Sequence, residues 1–294
     1  MSGLKGRVAV VTGGGRGIGA GVARLLAREG AAVVVNDLGT GLDGSGRDEG
    51  PAAEVVADIT RAGGAAVADH GDVTDPATGE RLVRTAVERF GGLHVLVNAA
   101  GILRDRMIFN MAEEEWDDVI RVHLKGHFST IRAAAAHWRG LGDPDGHFRI
   151  INFTSGSGLF GAPGQPNYAA AKMGVVGLTY SCANALARYG VTTNAISPVA
   201  ATRMTASIPD DRRKARSVTE DQRAAENIAP VVAYLAGEAS SWLNGRIIGA
   251  NGYDVTLYSN PEPVRVISGT SRWDVAALGE SMERLFRPAV ARAR

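Results

Sequence analysis

The strongest constraint on this chain lies near its start. A short apolar run, Val8 to Val11, meets the turn Thr12-Gly13-Gly14-Gly15-Arg16-Gly17-Ile18-Gly19. The run is rich in β-branched residues and reads as a buried strand. Behind the turn, Val22-Ala23-Arg24-Leu25-Leu26-Ala27 reads as a helix that stops at Gly30. Ala32 to Val35 is a second strand, ending at Asn36-Asp37. Strand, glycine turn, helix and strand in this order form the βαβ half of a doubly wound sheet. The glycines allow a tight bend, and their missing side chains let an anion approach the N–H groups that open the helix.

The same alternation continues to about residue 250. Helices are expected near Ala52 to Ala62, Ala77 to Phe90, Trp116 to Ala136, Tyr168 to Tyr189 and Asn227 to Leu235. Strands are expected at Ala65 to Ala68, His94 to Val97, Arg149 to Phe153 and Thr192 to Ile196, with Arg246 to Gly249 closing the sheet. Gly39 to Gly50, rich in Gly, Asp and Ser, reads as a flexible loop. The expected fold is α/β: a single-domain, Rossmann-like, doubly wound parallel sheet over residues 1–252, with a C-terminal extension over 253–294. In that extension Trp273, Val275, Leu278, Met282, Leu285 and Phe286 recur at near-helical spacing, which suits a helix packed on its own subunit or on a neighbour.

Bulk properties narrow the function classes. A net charge of +1 gives no case for nucleic acid or an anionic membrane as the main partner. The lone cysteine, Cys182, rules out an internal disulfide and reads as an inert helix position. No signal-peptide pattern, spanning apolar run or peroxisomal C-terminal address is evident, so a soluble cytoplasmic protein is expected.

The glycine turn follows a strand, opens a helix and is answered by an acid at the end of the next strand. That context points to a dinucleotide. Asp37 sits where a carboxylate accepts the adenosine ribose hydroxyls, and a 2′-phosphate there would meet like charge, which favours NAD over NADP. Arg16 pulls the other way, since it can pair with a phosphate. Asp72 and Val73 follow the third strand, where a side chain reaches the adenine edge; Asp72 can instead cap the next helix, as can Thr74 or Asp75. Asn98, Ala99 and Gly101 follow the fourth strand, where small residues leave room for the cofactor.

A second motif supplies chemistry. Tyr168 and Lys172 are one helical turn apart, with three alanines between them, so the two side chains share a face. A phenol of pKa about 10 is a poor base, and a nearby ammonium, helped by the positive charge of an oxidised nicotinamide, lowers it. Tyr168 can then exchange a proton with a substrate alcohol or carbonyl. Ser155, thirteen residues earlier and ahead of a glycine-containing loop, can hydrogen-bond the same oxygen. His123 and His127 share a helix face but have no third zinc ligand nearby, so no metal is expected. The charged run Asp210 to Arg216 reads as a solvated helix face, or as basic residues meeting the phosphates of a bulky substrate.

Together these residues resemble the short-chain dehydrogenase/reductase family over roughly residues 4–252. Thr12, Gly13, Gly17 and Gly19 meet its glycine pattern, and Ser155, Tyr168 and Lys172 its catalytic set. The resemblance implies that Lys172 also binds the nicotinamide ribose, and that Thr202, four residues after Pro198, contacts the nicotinamide end. Three positions depart from the family pattern: Ala99 replaces an asparagine, Val199 a glycine, and His123 the asparagine of a water relay, which must be altered or supplied by His123. Val35-Asn36-Asp37-Leu38-Gly39, the glycine-rich insertion, Gly101 to Arg106, Val122-His123-Leu124-Lys125-Gly126 and Thr202 to Thr205 resemble the (3R)-hydroxyacyl-CoA dehydrogenase branch typified by multifunctional enzyme type 2. The resemblance implies NAD-dependent oxidation of a 3-hydroxyacyl-CoA, an acyl thioester, by a homodimer or homotetramer. The rivals are a 3-oxoacyl thioester reductase, a dehydrogenase of steroids or other secondary alcohols, and a dinucleotide-binding regulator without chemistry. The polar stretch Thr205 to Arg223 is the expected cover for a large ligand.

Overall fold

A computed structural model describes residues 3–200, 219 and 221–292. The expected βαβ unit is formed by β1 (Val8–Thr12), α1 (Gly17–Arg28) and β2 (Ala32–Asn36). The alternation continues with α2 (Gly50–Arg61), β3 (Ala66–Asp69), α3 (Pro76–Phe90) and β4 (Val95–Asn98). Then come α4 (Glu113–Ile120), a π-helical turn (Arg121–Lys125), α5 (Gly126–Leu141) and β5 (Phe148–Phe153). The short α6 (Gly156–Phe160), the long α7 (Pro166–Leu186) and β6 (Val191–Val199) follow. After α8 (Ala229–Ala236), with Pro230 tolerated in its first turn, β7 (Ile247–Asn251) and β8 (Asp254–Tyr258) end this unit.

Among the described residues the strands form one sheet in the order β3-β2-β1-β4-β5-β6-β7-β8. All pairs are parallel except β7 with β8. The sheet therefore does not close at Gly249. An antiparallel edge strand follows, whose largely exposed residues Asp254-Val255-Thr256-Leu257-Tyr258 lack a buried apolar run. The order reverses between β1 and β4, and a crevice opens there above the carboxyl ends of the strands.

Both faces of the sheet are covered, and β1 shows how. Ala9 and Val11 pack with Val22 and Leu26 of α1, Val55 of α2 and Val232 of α8. Val8 and Val10, on the other face, pack with Leu82 of α3 and Ile131 and Trp138 of α5. Burying one such valine or leucine stabilises the fold by about 1.5–3 kcal/mol. A charge at Val10 would therefore disrupt the sheet. Trp138 anchors the second face, stacking on Phe148 at 5.2 Å and donating its indole N–H to the Leu93 carbonyl at 2.7 Å.

The chain divides into two compact units, one ending at Tyr258 and one beginning at Ser259. The second carries α9 (Val275–Leu285) and α10 (Arg287–Arg292). Asp274 caps α9 by accepting the Ala277 N–H at 2.9 Å.

Candidate active site

The crevice holds a cavity of about 630 Å³. One end is the turn between β1 and α1. A Cβ on Gly13, whose φ is +64°, would stand 2.7 Å from Ala100 Cα, and one on Gly19 would overlap the Gly13 carbonyl. Only glycine lets these three segments close up. Helix α1 opens with no side-chain cap and no acid in its first turn, so its N–H groups present uncompensated positive charge to the cavity beside Gly17 and Ile18. Thr12 does not line the cavity. Its buried hydroxyl accepts the N–H groups of Ala99 and Ala100 at 3.2 and 3.4 Å, tying the turn after β4 to the glycine turn.

Asp37 lines the cavity at the end of β2 with both oxygens oriented by backbone. Oδ2 accepts the Gly15 N–H at 2.8 Å and Oδ1 the Gly39 N–H at 2.7 Å. Arg16 donates instead to the Thr40 carbonyl at 3.1 Å and to Asp48 at 3.2 Å. Asp72 accepts the Thr74 N–H at 2.9 Å and stands 3.6 Å from the Arg121 guanidinium, while the cap of α3 is Asp75. Val73 lines the same wall, over Gly126. The loop expected over Gly39 to Gly50 is pinned: Leu103 N–H donates to the Leu42 carbonyl at 2.9 Å, and residues from Thr40 to Gly44 form part of the cavity wall.

The chemical end is built on α7. Pro166 starts this helix, and Asn167, fully buried, donates to the carbonyls of Arg104 and Glu115 at 3.0 and 2.9 Å. Tyr168 and Lys172 therefore face the cavity one turn apart. Ser155 hydrogen-bonds the Tyr168 phenol and also caps α6, accepting the Ser157 N–H at 3.2 Å. A short helix, rather than the expected loop, follows Ser155 because that cap starts it. It lies so close that a Cβ on Gly158 would stand 2.8 Å from Lys172 Cβ.

Burial sets the proton affinities here. It pushes the Tyr168 phenol up to about 12, opposed by the Ser155 hydrogen bond and reinforced by the nearby Asp105 carboxylate. It pushes the Lys172 ammonium down to about 7. Lys172 Nζ lies 5.6 Å from the Tyr168 ring centroid and donates to the Phe153 carbonyl at 2.7 Å. The sequence leads one to expect the ammonium, helped by an oxidised nicotinamide, to lower the phenol. In the protein alone desolvation dominates and raises the phenol, while burial also disfavours the charge on Lys172.

His123 lies in the π-helical turn that interrupts the expected continuous helix, a distortion common at functional sites. Its ring meets Tyr168 edge-on with centroids 5.0 Å apart, and its Nε2 lies 3.1 Å from the Ile102 nitrogen and 2.8 Å from the Ile102 oxygen. Burial, with Lys172 nearby, holds it well below the usual histidine range, so it is neutral. Its Nδ1 is buried without a hydrogen-bond partner. Gly101 is what admits this ring, since a Cβ there would overlap it.

Most expected site residues converge on the cavity, including Ala99 and Pro198. Asn98 does not. Its side chain accepts from Thr130 at 2.7 Å and donates to Asn152 at 3.1 Å inside the core. Ser155 does not line the cavity itself and reaches the site through Tyr168. Thr202, the run Asp210 to Arg216 and almost all of Thr205 to Arg223 lie outside the described residues. Sequence reasoning missed Arg121, which meets Asp72 only through the fold, and the role of Thr40 to Gly44 as wall.

The chain matches the family model for short chain dehydrogenases over residues 7–213. It is 44% identical over 289 residues to hydroxyacyl-CoA dehydrogenase ChsB1 of Mycobacterium tuberculosis, spanning 96% of this chain and 89% of that protein. It is 43% identical over 253 residues to peroxisomal multifunctional enzyme type 2 of Drosophila melanogaster, spanning 86% of this chain and 40% of that one. Among solved structures, a short chain dehydrogenase from Mycobacterium avium matches with a TM-score of 0.83 and 46% identity, covering 97% of this chain and 95% of that chain.

Proposed function

The chain belongs to the short-chain dehydrogenase family and is an oxidoreductase, and we propose that it oxidises the secondary alcohol of a 3-hydroxyacyl-CoA to the 3-oxoacyl-CoA with NAD. One observation carries this reading: a single cavity holds the glycine cradle and Asp37 at one end and Tyr168, backed by Ser155, with Lys172 at the other. The residues present fit a dinucleotide. Gly13, Gly15, Gly17 and Gly19 line the cavity beside the uncapped start of α1, which suits a pyrophosphate, and Asp37 is an oriented acceptor for ribose hydroxyls. When bound, the nicotinamide ring supplies the hydride acceptor and a positive charge.

This chain's own groups handle the proton. Tyr168 Oη takes the alcohol proton during oxidation and returns it during reduction. At neutral pH its phenol, pushed up to about 12, is protonated and ready to donate, so oxidation requires positive charge nearby to favour phenolate. Lys172, poised near 7, can carry that charge or release it. The Ser155 hydroxyl acts through its hydrogen bond to Tyr168, which favours the phenolate. His123, being neutral, keeps Tyr168 edge-on without adding charge.

The thioester reading rests on the relatives' names and on a physical argument: a CoA handle supplies binding energy remote from the reacting carbon, which orients it. The same groups run the reverse reduction. The protein is proposed to act in the cytoplasm as a homodimer or homotetramer, with no nucleic-acid or membrane partner. No helix among the described residues is long and apolar enough to cross a membrane. The test is reduced-cofactor formation with (3R)- and (3S)-hydroxyacyl-CoA of several chain lengths, beside free 3-hydroxy acids and steroid alcohols. Turnover of an acyl-CoA, with the free acid much slower, is expected. Turnover of steroids with no acyl-CoA active would overturn the thioester reading and leave the dehydrogenase.

A further inference from the structure

The glycine turn carries one cation, Arg16, and the segment after β2 carries the groups that meet it. Gly15, next to Arg16, donates its N–H to Asp37, so turn and acid are in direct contact. Arg16 and Asp37 line the same cavity. A phosphate attached to a hydroxyl held by Asp37 would therefore sit within reach of a free guanidinium on Arg16, and guanidinium is the side chain best shaped for phosphate. The guanidinium is not free. Nη1 donates to the Thr40 carbonyl at 3.1 Å and Nη2 to Asp48 Oδ2 at 3.2 Å. Asp48 is itself fixed, its Oδ1 accepting the Gly50 N–H at 2.9 Å and its N–H donating to the Leu38 carbonyl at 3.3 Å.

We propose that Asp48 is a specificity-determining residue: with the Thr40 carbonyl it holds the Arg16 guanidinium on the 38–50 segment and withholds it from a ribose 2′-phosphate. The inference rests on the NAD reading and adds a second device to it. Asp37 repels the phosphate, and Asp48 removes the attraction that the glycine turn would otherwise offer. Discrimination built this way uses both a repulsive element and a lost attractive one. The pair is partly solvated, with 33% of the Arg16 and 57% of the Asp48 side chain exposed, so its effect is modest and screened by salt.

The experiment measures dissociation constants of NADH and NADPH, by fluorescence, for wild type, Asp48→Asn, Arg16→Ala and the double variant. Asparagine keeps the acceptor for Gly50, so the segment stays anchored. Asp48→Asn is expected to shift the ratio toward NADPH by about five- to tenfold, with NADH binding within about twofold of wild type. The shift shrinks at high salt and is absent when Arg16 is also removed. A ratio unmoved by Asp48→Asn, an equal weakening of both cofactors, or a shift that persists without Arg16 would each overturn the proposal. The two failures are distinguishable. Wild type that binds NADPH more tightly overturns the NAD reading and this proposal together, whereas wild type that prefers NADH with an unmoved ratio in Asp48→Asn overturns this proposal alone.

Discussion

The two ends of the cavity treat charge in opposite ways. At the glycine end the ionisable side chains closest to the turn are partnered. Asp37 has two backbone N–H groups, Arg16 has Asp48, and Asp72 has Arg121. At the chemical end the ionisable groups are buried without an ion-pair partner among the described residues. Lys172 is pushed down to about 7, Tyr168 up to about 12, and His123 is held neutral. The first arrangement recognises a charge that is already present in a ligand. The second holds Tyr168 and His123 in their neutral forms and leaves Lys172 near its balance point, so that charge arriving with the ligand can shift the proton-transfer groups.

The largest expected break in this contrast comes from Tyr168→Phe. The ring still meets His123, and only the exchangeable proton is lost. Turnover should fall by about 10² to 10⁴, while NADH affinity measured by fluorescence stays within about twofold. Equal losses in both would place Tyr168 in recognition instead.

Lys172→Met should lower turnover strongly and also weaken cofactor binding, since the lysine belongs to both tasks. It carries a second signature, in stability. Folded Lys172 loses its proton near 7 and unfolded lysine near 10.5, so between those values the unfolded chain holds a proton that the folded one lacks. Wild-type stability should therefore gain from this group as pH rises from about 7 to 10. Melting curves of Lys172→Met should lack that rise. An identical pH dependence in both proteins would contradict the burial argument.

Asp37→Ala sharpens the other end. Asp37 also holds Gly15 and Gly39, so both cofactors should bind less tightly. The NADH-to-NADPH preference should narrow by about ten- to a hundredfold, the scale of hydrogen bonds to a charged group. Titration of both cofactors checks it. Asn98→Ala should act on the fold more than on the site. It opens the buried chain from Thr130 through Asn98 and Asn152 to Thr179 and leaves polar groups unpaired. A loss of about 1–3 kcal/mol in denaturant unfolding is expected, with cofactor affinity nearly unchanged.

What could be read from the chain follows the same division. The glycine turn, Asp37 and the Tyr168–Lys172 spacing are local patterns, and local geometry places them as expected. Asn98 was legible as a position but not as a role, because Thr130 and Asn152 lie far from it in sequence. The partner of Arg16 was hidden for a similar reason: Asp48 is one of several acids in a stretch without periodicity, and only the fold selects it. The π-helical turn left no trace in apolar spacing, since one extra residue in a helix does not break a mostly polar pattern. The antiparallel β8 went unseen because its side chains are mostly exposed and it lacks the buried apolar run of strands such as β1 and β4. The rise of the Tyr168 phenol in the protein alone was not legible, because sequence shows the neighbouring lysine but not how deeply both groups are buried.

The most direct test of the account is the proton affinity of Lys172 itself. The chain contains only four lysines, Lys5, Lys125, Lys172 and Lys214, so carbon-13 labelling of lysine side chains gives few resonances to assign by comparison with Lys172→Met. The account predicts that the Lys172 resonance of the cofactor-free protein titrates near 7. A Lys172 that stays protonated to the ordinary lysine value would contradict a desolvated chemical end, and with it the contrast on which the mechanism is built.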